Sequence, residues 1–421
     1  MKAVAPREEK AERGGRGEAR RDATRDQWTE TRVGDLCRLV NGSAFKPSDW
    51  STEGVPIIRI QNLNDADKPY NYWAGDVDDC VRVRRGDILL AWSGTPGTSF
   101  GAHIWDGEDG VLNQHIFRVD LTSEEVTPAW FVWAVNFRLE NLIGRAHGAV
   151  GLAHVTKGEV QALEIPLPPL AEQERIAGRL TEQLGAVERA RAAAAQRLAA
   201  AESLPAALLR EVFDGPQASG WETRTLGELL NRYNEIIHPG DRKSGEAVFV
   251  GLEHIEPHTG RRIGAGKVEF ASMTGRKPTF KRGHIVYGYL RPYLNKVWVA
   301  DFDGCSSVDQ FAFDVNPELA DTTFVAAFMR SATFLRRAQG VTTTGQLPRI
   351  SIDEIAAVKI DLPPDLPTQR RLAADLGQKL AAAEGVIARC REELAAIEAL
   401  PASLLRDAFG GGREAESPEG A

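Results

Sequence analysis

One ten-residue string occurs twice. Leu204 to Phe213 reads LPAALLREVF and Leu400 to Phe409 reads LPASLLRDAF, with Glu211 answered by Asp407. Two unrelated helices do not share Leu, Pro, Ala, Leu, Leu, Arg and Phe in one order, so the chain is a duplication. The agreement extends outward. Gln173 to Leu180 aligns without a gap with Gln369 to Leu376. Further upstream, Leu167 to Pro169 matches Leu362 to Pro364, Leu152 and Val155 match Leu347 and Ile350, and Gln114 and Phe117 match Gln310 and Phe313. Trp28 and Gly34-Asp-Leu36 face Trp221 and Gly227-Glu-Leu229. The period is far longer than the roughly 20–50 residues of a solenoid unit, which leaves two domain-sized units.

The match is close along the tails and loose across the preceding segments, where WSGTPGTSFGA from Trp92 to Ala102 stands against YLRPYLNKVW from Tyr289 to Trp298. A scaffold used twice would look like the tails. A surface that recognises two different things would look like the rest.

From Trp28 to Pro169, runs such as Val55 to Ile60, Asp87 to Trp92 and Ile116 to Val119 are β-branched or aromatic and bounded by Gly, Asp, Asn and Pro, the pattern of strands. Pro128 to Ile143 reads as a helix with a broad apolar surface from Trp130, Val132, Trp133, Phe137, Leu139 and Leu142. The second copy repeats this with Val248 to Leu252, His284 to Tyr289, Phe311 to Phe313 and a helix around Thr323 to Ala338. Each globular unit is therefore expected to be α+β. Pro166 to Pro169 makes an extended exit strap, since each proline lacks an N–H and biases its predecessor away from α.

A long helix follows each strap. Ile176, Leu180, Leu184, Val187, Arg191, Ala194, Leu198 and Ala201 recur at spacings of three and four, as do Leu372, Leu376, Leu380, Ala383, Ile387, Cys390, Leu394 and Ile397. Apart from Arg191, that is a coiled-coil seam. A helix from Ala171 to Ser203 would be roughly 50 Å long and needs a partner along its apolar stripe. The nearest is its own copy, and an antiparallel pair with a globular unit at each end is the natural closure. Pro205 and Pro401 are expected to break these helices and start short amphipathic ones. The expected divisions are a tail over residues 1–27, globular units over 28–170 and 216–366, helical spacers over 171–215 and 367–409, and a tail over 410–421.

With 43% hydrophobic and 26% charged residues the composition is that of a globular protein. No run reaches the length of a membrane span and the start has no signal-peptide core, so a cytoplasmic protein with no membrane partner is expected. Cys37, Cys80, Cys305 and Cys390 lie far apart with no Cys-x-x-Cys, which disfavours a disulfide framework or a metal site. The formal charge of −8 and pI near 5.7 argue against a stand-alone electrostatic binder of nucleic acid. Residues 1–27 are too poor in large apolar side chains to offset the cost of ordering.

Together these strings resemble the specificity subunits of type I restriction-modification systems. The resemblance rests on IPLPPLAEQERIA (Ile165 to Ala177), the repeated helix end, GDILLAWSGTPGTSFGAHIW (Gly86 to Trp105), LNQHIFRV (Leu112 to Val119), GLAHVTKGEV (Gly151 to Val160) and YLRPYLNKV (Tyr289 to Val297), in order, over all but the two tails. The second strap, IDLPPDLPTQRRLA, departs from the pattern by an extra residue and the lack of the acidic-Gln-Glu, which bears on the angle at which that helix begins. The resemblance implies a chain with no active site of its own. Its two target-recognition domains would each read one half of a split sequence in double-stranded DNA. Its paired helices would bind two methyltransferase subunits, and motor-nuclease subunits would join through the complex. No cofactor is expected on this chain; S-adenosylmethionine, ATP and Mg would be used by the other subunits. The acidic charge fits, because methyltransferases can supply much of the phosphate-binding surface while this chain supplies base contacts.

Gly94-Thr-Pro-Gly-Thr98 lacks the Lys-Ser/Thr of a P-loop and reads either as a structural turn or as a DNA-facing loop carrying Thr95 and Thr98. Gln114 and His115 follow a turn and suit base edges. Because Gln114 recurs as Gln310, a structural role is favoured for it, leaving His115 as the candidate. His103, His147 and His154 have no carboxylate, Ser or Cys at catalytic spacing. The second copy carries the cation clusters Arg261-Arg262, Arg276-Lys277 and Lys281-Arg282 and then Arg291 and Lys296, the last two interleaved with Tyr289 and Tyr293. Either they are a solvated face, or some touch phosphate and Arg291 reads guanine. Thr343, Gln346 and Arg349 lie in a polar loop before the second strap. Leu208, Leu209 and Phe213, with Leu404, Leu405 and Phe409, are the expected docking residues for two copies of one partner. The rival function is a structural adaptor that holds two proteins apart without touching DNA.

Overall fold

Strand runs and helical stripes fall where the side-chain periodicities place them. The computed structural model describes residues 28–65, 67–94, 100–145, 153–339 and 348–409. The chain forms two units, the first comprising residues up to Arg191 together with those from Ala396 onward, the second Ala192–Ala395.

The first unit runs β1 (Thr29–Arg32), α1 (Val33–Leu36), β2 (Cys37–Asn41), β3 (Val55–Ile58), α2 (Ile60–Asn64), β4 (Asn71–Trp73), β5 (Arg82–Val83), β6 (Ile88–Ala91), β7 (Ser93–Gly94), β8 (Gly101–Ile104), β9 (Gly110–Leu112), β10 (Ile116–Leu121), α3 (Pro128–Arg145), β11 (Ala153–His154), α4 (Lys157–Ala162), β12 (Glu164–Leu167) and the start of α5 (Leu170–Asp214). An antiparallel sheet in the order β2-β10-β6-β8 carries the core. A second sheet, β4-β3-β9-β5, contains one parallel pair, β3 with β9. The proline strap is β12, paired with β1. Trp130 and Phe131 of α3 are fully buried, and the Trp130 indole donates to the Pro166 carbonyl at 2.8 Å.

The second unit repeats the plan. Its elements are β13 (Glu222–Thr225), α6 (Leu226–Leu229), β14 (Leu230–Tyr233), β15 (Ile236–Ile237), β16 (Glu246–Val250), β17 (Gly266–Glu269), β18 (Lys277–Phe280), β19 (Ile285–Gly288), β20 (Val297–Val299), β21 (Gly304–Ser306), β22 (Gln310–Val315), α7 (Thr322–Met329), α8 (Ala332–Gln339), α9 (Ile352–Ala357), β23 (Lys359–Leu362) and α10 (Leu366–Phe409). The order β14-β22-β19-β20 reproduces the main sheet, and β16 pairs parallel with β21 as β3 does with β9. The expected helix around Thr323 to Ala338 is two helices. Ser331 interrupts it, its Oγ accepting from the Phe334 N–H as a new N-cap at 3.1 Å.

Small shared devices hold both copies in shape. Gly34 of α1 and Gly227 of α6 lie so close to α4 and α9 that an added Cβ would sit 3.2 Å from the Gln161 and Ala356 carbonyl oxygens. Thr156 with Glu159, and Ser351 with Glu354, close reciprocal capping boxes. Gln173 is wholly buried: its Oε1 accepts from the Thr127 N–H at 2.9 Å while its Nε2 donates to the Glu125 and Pro168 carbonyls at 2.7 and 2.8 Å. Gln369 does the same with the Asp321 N–H and the Leu319 and Pro363 carbonyls. The extra residue of the second strap is thus absorbed before the helix begins, and both helices start under the same lock.

Two expectations are corrected. Pro205 and Pro401 do not break the helices; both lie inside continuous α5 and α10. An interior proline costs about 3 kcal/mol. The turns beyond it bury Leu209 and Phe213 against Phe324 and Phe328 in the second unit, and Leu405 and Phe409 against Trp130 and Phe137 in the first. At about 1.5–3 kcal/mol for each large side chain fully buried, this packing offsets the proline.

The second correction is one of register. The Trp92 N–H bonds to the His115 carbonyl and the Tyr289 N–H to the Asp309 carbonyl, so Phe117 corresponds to Phe311 rather than Phe313, and Gln114 does not correspond to Gln310. A slip of two keeps every side chain on its own face of a strand, which is why the pattern did not reveal it. Gln310 is buried and accepts from the Ser307 N–H at 3.0 Å, whereas Gln114 is exposed, so their recurrence no longer argues for a structural role of Gln114.

Within each unit a segment of α5 packs antiparallel against a segment of α10. In the first, Ile176 and Leu180 share a core with Leu405 and Ala408. In the second, Leu208 and Leu209 share one with Leu372 and Leu376, flanked by the ion pairs Arg197–Glu393 and Glu202–Arg391.

Candidate nucleic-acid interface

At the end of the second unit's main sheet where β19 leaves, Tyr289 stacks on Phe311 with centroids 4.3 Å apart and planes at 23°. The Tyr289 hydroxyl donates to the Val308 carbonyl at 2.9 Å, which fixes the ring. Arg232, at the end of β14, lies over the other side of the stack, 5.2 Å from the Phe311 centroid. Burial and Asp309 raise the Tyr289 phenol against the opposing pull of Arg349, Arg276 and Arg232, so three guanidinium groups lie within electrostatic reach of one ring. All three are exposed, and none makes an ion pair among the described residues.

The chain then turns sharply. Arg291 and Asn295 adopt left-handed conformations, with φ of 54° and 45°, on either side of Pro292–Leu294. Such geometry costs non-glycine residues of order 1–3 kcal/mol and persists where surroundings impose it. Here Pro292 and Asn295 are buried, the Arg291 N–H donates to the Pro348 carbonyl at 2.8 Å, and Leu290 bridges Arg349. The turn therefore presents Arg291 and Tyr293 outward from a stiff base, with Tyr293 49% exposed.

The corresponding end of the first unit has the same stack with a different rim. Trp92 stacks on Phe117 at 5.9 Å and 26°, and His115 tilts against Trp92 at 5.5 Å. Gln114 Nε2 lies 3.2 Å from His115 Nε2, and His115 Nδ1 is buried without a partner. Backbone pairing of β7 with β11 continues this end, as the Leu290–Arg349 bridge does in the second unit.

The other cations expected at DNA are committed elsewhere. Arg261 pairs with Glu256 at 2.7 Å and with Glu384 of α10 at 3.3 Å. Arg262 lies over Trp298 and Phe302 and 3.8 Å from Asp301. Lys296 donates to the Leu252 carbonyl, and burial pulls its ammonium below the usual lysine range. Lys277 sits over the Phe249 ring at 4.9 Å. Thr95, Thr98, Thr343 and Gln346 lie outside the described residues. Arg232 escaped the sequence reading because it stands alone between Asn231 and Tyr233, and only the fold brings it to the stack.

The docking residues are likewise placed in cores: Leu209, Phe213 and Leu405 are buried, and Leu208, Leu404 and Phe409 pack against the same clusters. What the helix ends leave outside is Leu204, 40% exposed, and its copy Leu400, 44% exposed.

Residues 25–193 match the family model described as a type I restriction modification DNA specificity domain. The type I restriction enzyme EcoDI specificity subunit of Escherichia coli is 24% identical over 415 residues, covering 91% of this chain and 88% of that protein. The EcoBI specificity subunit of the same organism is 28% identical over 169 residues, 40% of this chain and 34% of its own. Residues 25–193 thus carry a type I restriction modification DNA specificity domain, and nearly the whole chain is similar to a type I specificity subunit.

Solved structures agree on the fold of this chain. A chain from a study of complex assembly and conformational transition of the type I R-M system superposes with a TM-score of 0.68 at 19% identity, over 91% of this chain and 97% of that one. The HsdS subunit from Thermoanaerobacter tengcongensis gives 0.55 at 18% identity, over 91% and 96%. Among the described residues, no helix is long and apolar enough to cross a membrane, and no cluster of His, Cys, Asp and Glu is arranged to hold a metal.

Proposed function

We propose that this chain is a type I specificity subunit that reads a bipartite target in double-stranded DNA, one half with each unit, and carries no catalytic group. The observation behind this reading is the paired sheet ends: one aromatic stack kept in both units, rimmed by His115 and Gln114 in one and by Arg232, Arg276 and Arg349 in the other, with Arg291 on the turn that follows. Arginine presents two parallel donors that match guanine O6 and N7, and glutamine can bridge adenine. The two rims are thus suited to different base edges. Methylation of adenine and motor-driven cleavage would belong to methyltransferase and motor-nuclease subunits, which would handle S-adenosylmethionine, ATP and Mg.

The repeated helices would hold two methyltransferases. With the inner leucines and phenylalanines already used in the cores, Leu204 and Leu400 are the apolar positions that repeat on the outside.

The test is a graft. Residues 28–164 are replaced by the corresponding unit of a relative, and the methylated motif is mapped by sequencing. One half of the motif changes and the other stays; changes in both halves, or none, overturn the assignment. A chain acting only as a protein adaptor would leave the motif untouched.

A further inference from the structure

A cavity of about 530 Å3 lies within the second unit, between α7, α10 and the segment from Thr259 to Arg262. Its size falls within the roughly 300–1,000 Å3 of small-molecule sites. One wall is apolar: Val297 and Trp298 of β20, Ala326 and Ala327 of α7, and Leu376 of α10 are all buried. Small residues keep the space open, since a Cβ added at Gly377 would meet nothing within 4 Å.

The other wall holds guanidinium groups with unspent donors. Arg330 donates one Nη to the Thr259 carbonyl at 2.7 Å, but its Nε is buried without a partner, as is the Nε of Arg262. Burial pulls the Arg330 guanidinium below its usual range, and its nearest carboxylate influence, Glu384, is bonded to Arg261. Arg262 donates one Nη to the Gly264 carbonyl at 3.1 Å and lies over Trp298 and Phe302, and its nearest carboxylate, Asp301, stays 3.8 Å away. Three arginines and two carboxylates line the space, an excess of one positive charge. A buried cation with an unpaired donor is costly unless an anion or hydrogen-bond acceptor meets it.

We infer that this cavity binds a small monoanion with an apolar body, of the class of a medium-chain carboxylate, its head on Arg330 and Arg262 and its tail along Leu376, Ala326 and Ala327. The cavity shares no lining residue with the Tyr289 stack, and the inference does not depend on the DNA reading.

Octanoate is the probe, with octanol as the neutral analogue and octylamine as the cationic one, each titrated calorimetrically into the full chain bound to its methyltransferase partner. Octanoate binds at least about tenfold more tightly than octanol, a difference of about 1.4 kcal/mol, and octylamine not at all. Arg330→Met removes that preference. Since Arg330 also holds the 259–262 segment, Gly377→Leu serves as the second variant: it fills the cavity from an exposed helix position and abolishes octanoate binding without touching either arginine. No binding to the wild type, equal binding of octanoate and octanol, or unchanged binding in Gly377→Leu overturns the inference.

Discussion

Both units end their main sheet on a stacked aromatic pair, yet among the described residues the pair is bordered by neutral polar side chains in one and by arginines in the other. Trp92 on Phe117 is bordered by His115 and Gln114; Tyr289 on Phe311 is bordered by Arg232, Arg276 and Arg349. Duplication kept what holds the strands together and released what faces outward. The stack, the Gln173 and Gln369 locks and the Gly34 and Gly227 crossings serve packing that is the same in both copies, so they survive. A rim residue owes nothing to the core behind it and is free to follow its target.

The contrast breaks most visibly if the arginines are removed. Replacing Arg232, Arg276 and Arg349 together with Ala is expected to weaken DNA binding by the assembled complex more than hundredfold, at about 1–3 kcal/mol for each arginine that meets DNA. The dependence of affinity on salt should flatten by up to about 0.9 for each phosphate no longer neutralised. Gln114→Ala with His115→Ala should instead relax the other half-site and leave the salt slope nearly unchanged. Binding measured at several salt concentrations against both half-sites decides between these outcomes. An equal salt effect from the two units erases the distinction.

If the repeat also governs assembly, Leu204→Asp or Leu400→Asp should each reduce the complex from two methyltransferases per chain to one, and both changes together should abolish it. Native mass spectrometry counts the subunits. Full occupancy in the double variant removes these leucines from the interface.

In the scaffold the units should behave alike. Gln173→Ala and Gln369→Ala each strand backbone groups that the amide had satisfied, at about 1–3 kcal/mol for a buried unsatisfied group. Urea unfolding of the two variants should show losses of similar size; a loss confined to one shows that the lock is not shared.

The smallest effect is that of acid. Burial holds His103 in the first unit, and His258 and His284 in the second, below the usual imidazole range. The unfolded chain takes up protons below about pH 6.5 that the folded chain refuses. Stability contributed by these groups is therefore full above that pH and declines as the pH falls. His103→Gln should flatten the melting temperature against pH for the first unit only, and an unchanged profile argues that His103 is protonated in the fold.

Much of the architecture was legible in one sequence because it is written in periodicity: the strands around Ile57, Leu90 and Phe117, the helix from Pro128, and the two long seams. What escaped was decided by partners distant along the chain. Arg261 looks like any surface arginine until α10 brings Glu384 to it. Leu209 and Leu405 sit in near-identical helix ends that read equally well as docking faces or as core, and only Phe213 on Phe324 and Phe409 on Phe137 show which. Proline is a local signal for a break, and it lost to packing on its far side.

The first unit is not contiguous in the chain. Trp130 and Phe137 are covered by Phe409, the last described residue, whereas the second unit spans the unbroken stretch Ala192–Ala395. During synthesis from the N-terminus, the part made first must therefore wait with an open aromatic face, while the part made second can close as soon as it leaves the ribosome. The order of birth is the reverse of the order of completion. A chain stopped short of residue 396 by a nonsense codon would keep the whole second unit and leave the first without its lid, exposed to chaperones and proteases in place of DNA.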